Sequence, residues 1–296
     1  MVELRGLAYG ASAALARPWM SLSTTWRSSL RIVAYHNVED VELFRIQIAF
    51  LADNLEPITA AEVVRGSFIA RRSPVWVTFD DGDPSLVELA MPVLNEFGIS
   101  ATAFICPGLV DSLEPFWWEV VEEAIASNIV PSDEVSRLKH VDDRERRRRI
   151  TQIGAALEAS NGKSLVREHL TTDELRNWVG SRHSLGNHTW DHPLLDMCEP
   201  QEQRRQIVVA HDWLADRFSP KDLLFAYPNG NHSPAAEAIL RELGYAVGVL
   251  FDHRVHRGRN PLHMSRIRVN SADGLSEFKA KVSGIHPVIH RALGRS

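Results

Sequence analysis

The stretch "SPVWVTFDDGDPS", residues 73–85, runs an apolar, strand-like segment straight into two adjacent aspartates and a glycine. Like charges side by side at the end of a buried strand cost folding energy unless a cation or a shared proton relieves them. Outward from this segment, other strand-length apolar runs recur: "RIVAY" (31–35), "ATAFI" (101–105), "SLGN" (184–187), "LLFAY" (223–227), "YAVGVL" (245–250) and "RIRV" (266–269). Most are apolar throughout, as strands covered on both faces are. Helical patterns lie between several of them, including "SLVELAMPVLNEFG" (85–98) and "SPAAEAILRELG" (233–244), each closing on a glycine. Alternating strands and helices imply an α/β fold with a parallel sheet. Seven such strands suit a barrel of the α/β kind, closed or incomplete, better than a sandwich.

The rhythm breaks between about residues 112 and 180, where "PFWWEVVEEAIASN", "DEVSRLKHVDDRERRRRITQIGAALEAS" and "TTDELRNWV" all read as helix. This segment is expected to be a helical insertion between two strands. Its "DDRERRRR" run interleaves acids and arginines at helical spacing, so it is read as a solvated helix face rather than a nucleic-acid patch. At 296 residues the chain can bury a full core, and 44% apolar with 24% charged residues is ordinary for a soluble enzyme. A net charge of -5 gives no general affinity for nucleic acid. Cys106 and Cys198 are the two cysteines and are read as free, which excludes a disulfide framework and a four-cysteine zinc site. The N-terminus carries an apolar patch interrupted by polar residues, with Glu3 offsetting Arg5, and resembles a signal peptide only faintly. A cytoplasmic location is therefore expected, with export to the cell surface as the alternative, and no run reaches transmembrane length. Residues 1–30 are expected to form an extension, 31–285 the domain and 286–296 a tail; oligomeric state is left open.

Polar groups gather where the strands end. His36 follows "RIVAY", Asp80 and Asp81 follow "VWVTF", His188 follows "SLGN", and Pro228, Asn229 and Gly230 follow "LLFAY". In parallel α/β folds the carboxyl ends of the strands form the mouth of the active site. "NHTWDHPLL" (187–195) sets His188 and His192 four apart, with Pro193 favouring a loop over a helix interior at His192. Two imidazoles and one carboxylate make a three-ligand catalytic zinc site with a position left for water. One aspartate is then left over. Just past the strand, with Gly82 free to take a positive φ, one carboxylate can bind the ion while its neighbour acts as general base.

These stretches together resemble the polysaccharide deacetylases with NodB homology, also called carbohydrate esterase family 4. "TFDDG" (78–82) is similar to the family's first motif, "NHTWDH" (187–192) to its second and "AYPNG" (226–230) to the YPxG form of its third. "YHNV" (35–38) and "SRIRV" (265–269) resemble flanking signatures of the branch that includes poly-N-acetylglucosamine deacetylases. The resemblance spans about residues 31–285 and implies a distorted (β/α) barrel, usually of seven strands. It implies Asp80 as base, and Asp81, His188 and His192 as ligands of a divalent metal, zinc first with Co2+ or Ni2+ as alternatives. It further implies the backbone N–H of Asn229 as oxyanion donor, with Tyr227 and Pro228 beside it.

Two departures carry expectations of their own. Ala226 stands where many members have an arginine that tethers the catalytic aspartate, and Arg266 is expected to replace it. The late L-x-H motif that supplies the general acid in many members is poorly matched by His263 and His286, and His36 is preferred for that role, with His263 as the alternative. Trp190 is expected to wall the cleft, whereas Trp117 and Trp118 are sugar-subsite candidates of which at least one is expected to pack in the insertion. The implied activity is hydrolysis of the N-acetyl group of an amino-sugar glycan or precursor, releasing acetate. The alternatives are hydrolysis of another C–N bond, as in allantoinase-like, imidase or deformylase relatives, and a metal-free carbohydrate-binding relic.

Overall fold

In a computed structural model of the chain, residues 29–66, 72–162, 164–256 and 258–283 are described. The extension and the tail expected at the two ends lie almost wholly outside these residues, as does His286. Among the described residues eight strands form one sheet: β1 (Arg31–Tyr35), β2 (Glu56–Pro57), β3 (Pro74–Phe79), β4 (Ala101–Ile105), β5 (Ser184–Asn187), β6 (Leu224–Ala226), β7 (Val247–Val249) and β8 (Ile267–Arg268). Their order is β7-β6-β5-β4-β3-β1-β8, with the two-residue β2 paired to the start of β3. Every pairing is parallel.

The sheet curls because residues 264–269 touch both of its edges. Met264 bridges to Val249 on β7, Leu250 N–H donates to Met264 O, and farther along the same segment Ile267 pairs with Val33 and Val269 N–H donates to Ala34 O. The result is a distorted (β/α) barrel. Side chains alternate across it as strand geometry requires. Val33, Val75, Val77, Ala101 and Ala103 pack outward with Phe44, Ile48, Leu94, Leu175 and Trp178 of the surrounding helices. Ile32, Trp76, Phe104, Leu224, Val247 and Met264 form a separate cluster on the other face. Trp76 anchors that interior, donating from Nε1 to Thr102 Oγ1 at 3.0 Å and meeting Phe104 edge-on. Gly186 makes room for Phe104: a Cβ there would lie 2.4 Å from its ring.

The insertion builds a small core of its own from Val120, Val121, Ala124, Leu138, Ile153 and Leu157. The helix expected to run through residues 133–160 is two helices, Glu134–Leu138 and Asp143–Asn161, because Asp142 stops and restarts it: its carboxylate accepts from Glu145 N–H at 3.0 Å. The arginine run is not a wholly solvated face either. Arg144, Arg148 and Arg149 are exposed, but Arg146 is buried and paired with buried Asp143 at 2.6 Å. The following helix, Thr172–Gly180, opens on a Thr171–Glu174 capping box and packs Leu175 and Trp178 into the main core, so it belongs to the barrel rather than to the insertion. Both cysteines are free and buried.

Candidate active site

At the end of β3 the chain changes direction within two residues. Asp80 N–H still follows the ladder, donating to Tyr35 O at 3.0 Å, but Asp81 then takes φ 73 and Gly82 φ 80. Aspartate tolerates this left-handed conformation better than most residues. The consequence is that neighbouring carboxylates on one strand end up with different partners. Asp80 meets Arg266, whose Nη1 and Nη2 donate to Oδ1 and Oδ2 at 2.7 and 2.6 Å. Arg266 is itself fixed by Nε donating to Leu250 O at 2.7 Å and by the rings of Phe104 and Phe251, each 5.5 Å from its guanidinium carbon. Burial alone would raise the Asp80 carboxyl, but Arg266 first and His188 next bring it below the usual carboxylate range.

Asp81 turns to the imidazoles. His188 follows β5, with its N–H on Ile105 O, and its Nδ1 lies 2.8 Å from Ala226 O. Such a contact needs the proton on Nδ1, which leaves the Nε2 lone pair free toward Asp81 Oδ1 at 3.4 Å. Asn187 holds the following loop, accepting from Thr189 N–H, and Gln206 Oε1 takes the N–H groups of Trp190 and Asp191. Thr189 at φ 69 and His192 at φ 59 complete the turn. It brings His192 Nε2 to 3.6 Å from the same Asp81 oxygen. His192 is buried against Trp118 and Phe116, which lowers it to about 4 and keeps the ring neutral, the form that binds metals.

This arrangement fits a divalent cation. Asp81 Oδ1 is buried with no hydrogen-bond partner among the described residues although two imidazole nitrogens face it, and the three ligand atoms lie within 4.8 Å of one another. Two nitrogens and one carboxylate oxygen are a donor set that divalent transition metals take. Backbone strain gathers here as well, since Asp81, Thr189, His192 and Asn229 all adopt positive φ.

The three ligands and Asp80 stand in a cleft of about 250 Å³. His36 lines it from the end of β1, half-buried and edge-on to Phe251 at 5.2 Å. Asn229 lines it too, at φ 56, with its side chain held by Lys139 Nζ at 3.2 Å. Other expected residues sit elsewhere. Tyr227 and Pro228 are buried behind the cleft, Tyr227 against Phe225 and His232. Trp190 packs over Gly108, where a Cβ would be 2.7 Å from its Nε1, and it does not line the cleft. Trp117 and Trp118 do. His263 lies outside the lining, 2.7 Å from Glu237.

Sequence reasoning missed Glu122, Lys139, Phe251 and Arg268, all of which line the cleft. Arg268 carried a usable signal, because it stands two residues after Arg266 and so shares its face of the strand. Glu122 and Lys139 come from the insertion, whose docking on the barrel no local pattern records.

A protein-family model described as polysaccharide deacetylase matches residues 70–248. The Bacillus subtilis (strain 168) protein YxkH, whose name assigns it provisionally to the polysaccharide deacetylases, is 20% identical over 277 residues, covering 89% of this chain and 80% of its own. Among solved structures, the deacetylase PplD of Streptococcus pyogenes, in complex with acetate, superposes with a TM-score of 0.60 at 19% identity over 84% of this chain and 95% of its own. IcaB from Ammonifex degensii does so with a TM-score of 0.61 at 18% identity over 86% of this chain and 97% of its own. At these identities the two structures speak to the fold.

Proposed function

The chain belongs to the polysaccharide deacetylase family, and on that premise we propose that it is a metal-dependent hydrolase removing the N-acetyl group from an amino-sugar glycan or its precursor, with release of acetate. One observation carries the reading: the buried Asp81 oxygen, unpartnered among the described residues and faced by His188 and His192, beside an Asp80 held separately by Arg266. Asp81, His188 and His192 would hold the ion, which when bound supplies Lewis acidity and an acidified water.

The chain's own residues divide the remaining work. Asp80, ionised because its carboxyl lies below the usual range, takes the proton of the attacking water on a carboxylate oxygen. The Asn229 backbone N–H donates to the amide oxygen as negative charge develops on it. His36, protonated, gives its proton to the leaving nitrogen as the C–N bond breaks and the C–O bond is complete. Acetate and a free amine result, an assignment in keeping with the acetate bound by PplD. Trp117 and Trp118 offer apolar faces to pyranose rings, and Glu122, Lys139 and Arg268 offer hydrogen bonds to their hydroxyls.

The test is acetate release from N-acetylglucosamine oligomers and from acetylated nucleotide- or lipid-linked sugars, with zinc-loaded protein beside Asp80→Asn. Release that depends on Asp80 supports the reading. Formate or a ring-opened product would move the chain to another C–N hydrolysis, and no turnover with one metal equivalent bound in the cleft would retire the amino-sugar substrate.

A further inference from the structure

A second group of ligand-type side chains stands apart from the cleft. His232 follows the turn Pro228–Gly230, Glu237 lies on the helix Pro234–Glu242, and His263 precedes the segment that closes the barrel. Their ligand atoms all lie within 4.8 Å of one another. Both Nε2 atoms converge on one carboxylate oxygen, Glu237 Oε2, at 2.9 Å from His232 and 2.7 Å from His263. None of the three lines the catalytic cleft.

Hydrogen bonding accounts for only half of this convergence. His232 Nε2 makes a bond to Oε2, but His263 Nε2, itself buried, makes none among the described residues despite its shorter distance. The rings meet edge-on with centroids 3.9 Å apart, which two imidazolium cations would resist. The same pattern, two imidazole nitrogens on one carboxylate oxygen with a polar atom left unpartnered, marks Asp81, His188 and His192. The other oxygen, Oε1, is occupied by Arg241 and by Asn260 Nδ2 at 3.2 Å, so the carboxylate is oriented with Oε2 presented to the histidines.

We infer that His232, Glu237 and His263 form a second site for a divalent transition cation, zinc first, independent of the catalytic one. Its donor set is again two nitrogens and one oxygen, with room in the coordination shell for water. Its place in the chain gives it a structural role. The ion ties the loop that carries Asn229 to the segment that leads into Arg266. That segment is seated on both sides of His263, since Leu262 packs on Gly248 and Met264 pairs with β7.

Metal stoichiometry after zinc loading and exhaustive dialysis tests the inference without reference to turnover. The wild-type chain is expected to retain two equivalents, His263→Ala and Glu237→Gln one each, Asp81→Asn one, and the pair Asp81→Asn with His263→Ala none. His263→Ala and Glu237→Gln are expected to keep the wild-type circular dichroism, and the rise in melting temperature that zinc confers on Asp81→Asn is expected to vanish when His263→Ala is added to it. Retention of one equivalent that Asp81→Asn removes and His263→Ala does not would overturn the second site and leave the catalytic one standing. One equivalent lost with His263→Ala and kept by Asp81→Asn would support the second site while removing the metal from the cleft.

Discussion

Arg266 and Asp80 stand 186 positions apart in the chain and meet as a two-pronged ion pair, 2.7 and 2.6 Å, with side chains 0% and 4% exposed. The pair resolves the electrostatic question posed by two adjacent aspartates. A buried guanidinium matches the charge of Asp80, and Asp81, aimed the other way by its positive φ, faces the imidazoles of His188 and His192. Arginine suits the task because its planar fork fits a carboxylate and stays charged when buried.

Breaking this pair is therefore expected to affect both stability and chemistry. Arg266→Met leaves an uncompensated buried carboxylate and should cost about 3–5 kcal/mol, measured by urea unfolding at pH 7. The pH dependence has a definite sign. In the wild type the folded-state pKa of Asp80 is depressed, so its contribution is present above the unfolded value and is lost as pH falls through the folded one. Without the arginine, burial dominates and Asp80 rises, so the acid limb of kcat/KM should move to higher pH. Arg266→Lys should retain part of the stability. An unchanged acid limb in Arg266→Met would show that the arginine does not tune Asp80.

His36 should act on the leaving group and nowhere else. His36→Ala is expected to lower kcat on N-acetyl substrates about 10²–10⁴-fold, the range for a lost general acid. Aryl acetate esters, whose phenolate leaves without a proton, should lose far less. Equal losses on amide and ester would assign His36 to binding instead.

Trp118 lies stacked on Phe116 with ring centroids 4.4 Å apart and edge-on to His192 at 4.6 Å, so its orientation is fixed before any sugar arrives. Trp118→Ala should raise KM for oligosaccharides about 2- to 10-fold, in line with about 0.5–1.5 kcal/mol for an aromatic contact. Trp118→Phe should recover most of it. A fall in kcat alone, with less metal retained, would mean that the ring serves His192 rather than the glycan.

The sequence showed most of the barrel because its strands are buried on both faces and so print as unbroken apolar runs; β1, β3 and β4 are buried along their whole length. Asp80, Asp81, His188 and His192 were legible because each sits within one or two residues of a strand end or in one tight loop. Tyr227 and Trp190 were misplaced for a different reason. Both are polar-tipped aromatics next to motif residues, and whether such a ring faces the cleft or the core depends on packing partners far away, Gly108 for Trp190 and Phe225 for Tyr227. The break at Asp142 and the burial of Arg146 were hidden because helical charge spacing reads the same on a solvated and on a docked face.

His183 gives a stability prediction outside the cleft. It precedes β5, stacks on Trp178 with ring centroids 4.2 Å apart, and its Nδ1 accepts from Ala101 N–H at 3.1 Å. That bond requires an unprotonated Nδ1, and burial lowers the ring from 6.5 to about 4. A proton would convert the acceptor into a donor facing another donor. Since the folded-state pKa lies below the unfolded one, the neutral ring stabilises the fold fully above about pH 6.5, and that contribution is lost as pH falls toward 4. A depression of this size corresponds to a loss of about 3 kcal/mol across this window. His183→Gln keeps an acceptor for Ala101 N–H and cannot titrate, so its urea midpoint should vary less between pH 7 and pH 4 than the wild type's. The comparison belongs in metal-free protein, where ligand protonation cannot be confused with loss of the ion. If the two proteins show the same pH slope, the acid sensitivity of the fold lies in groups other than His183.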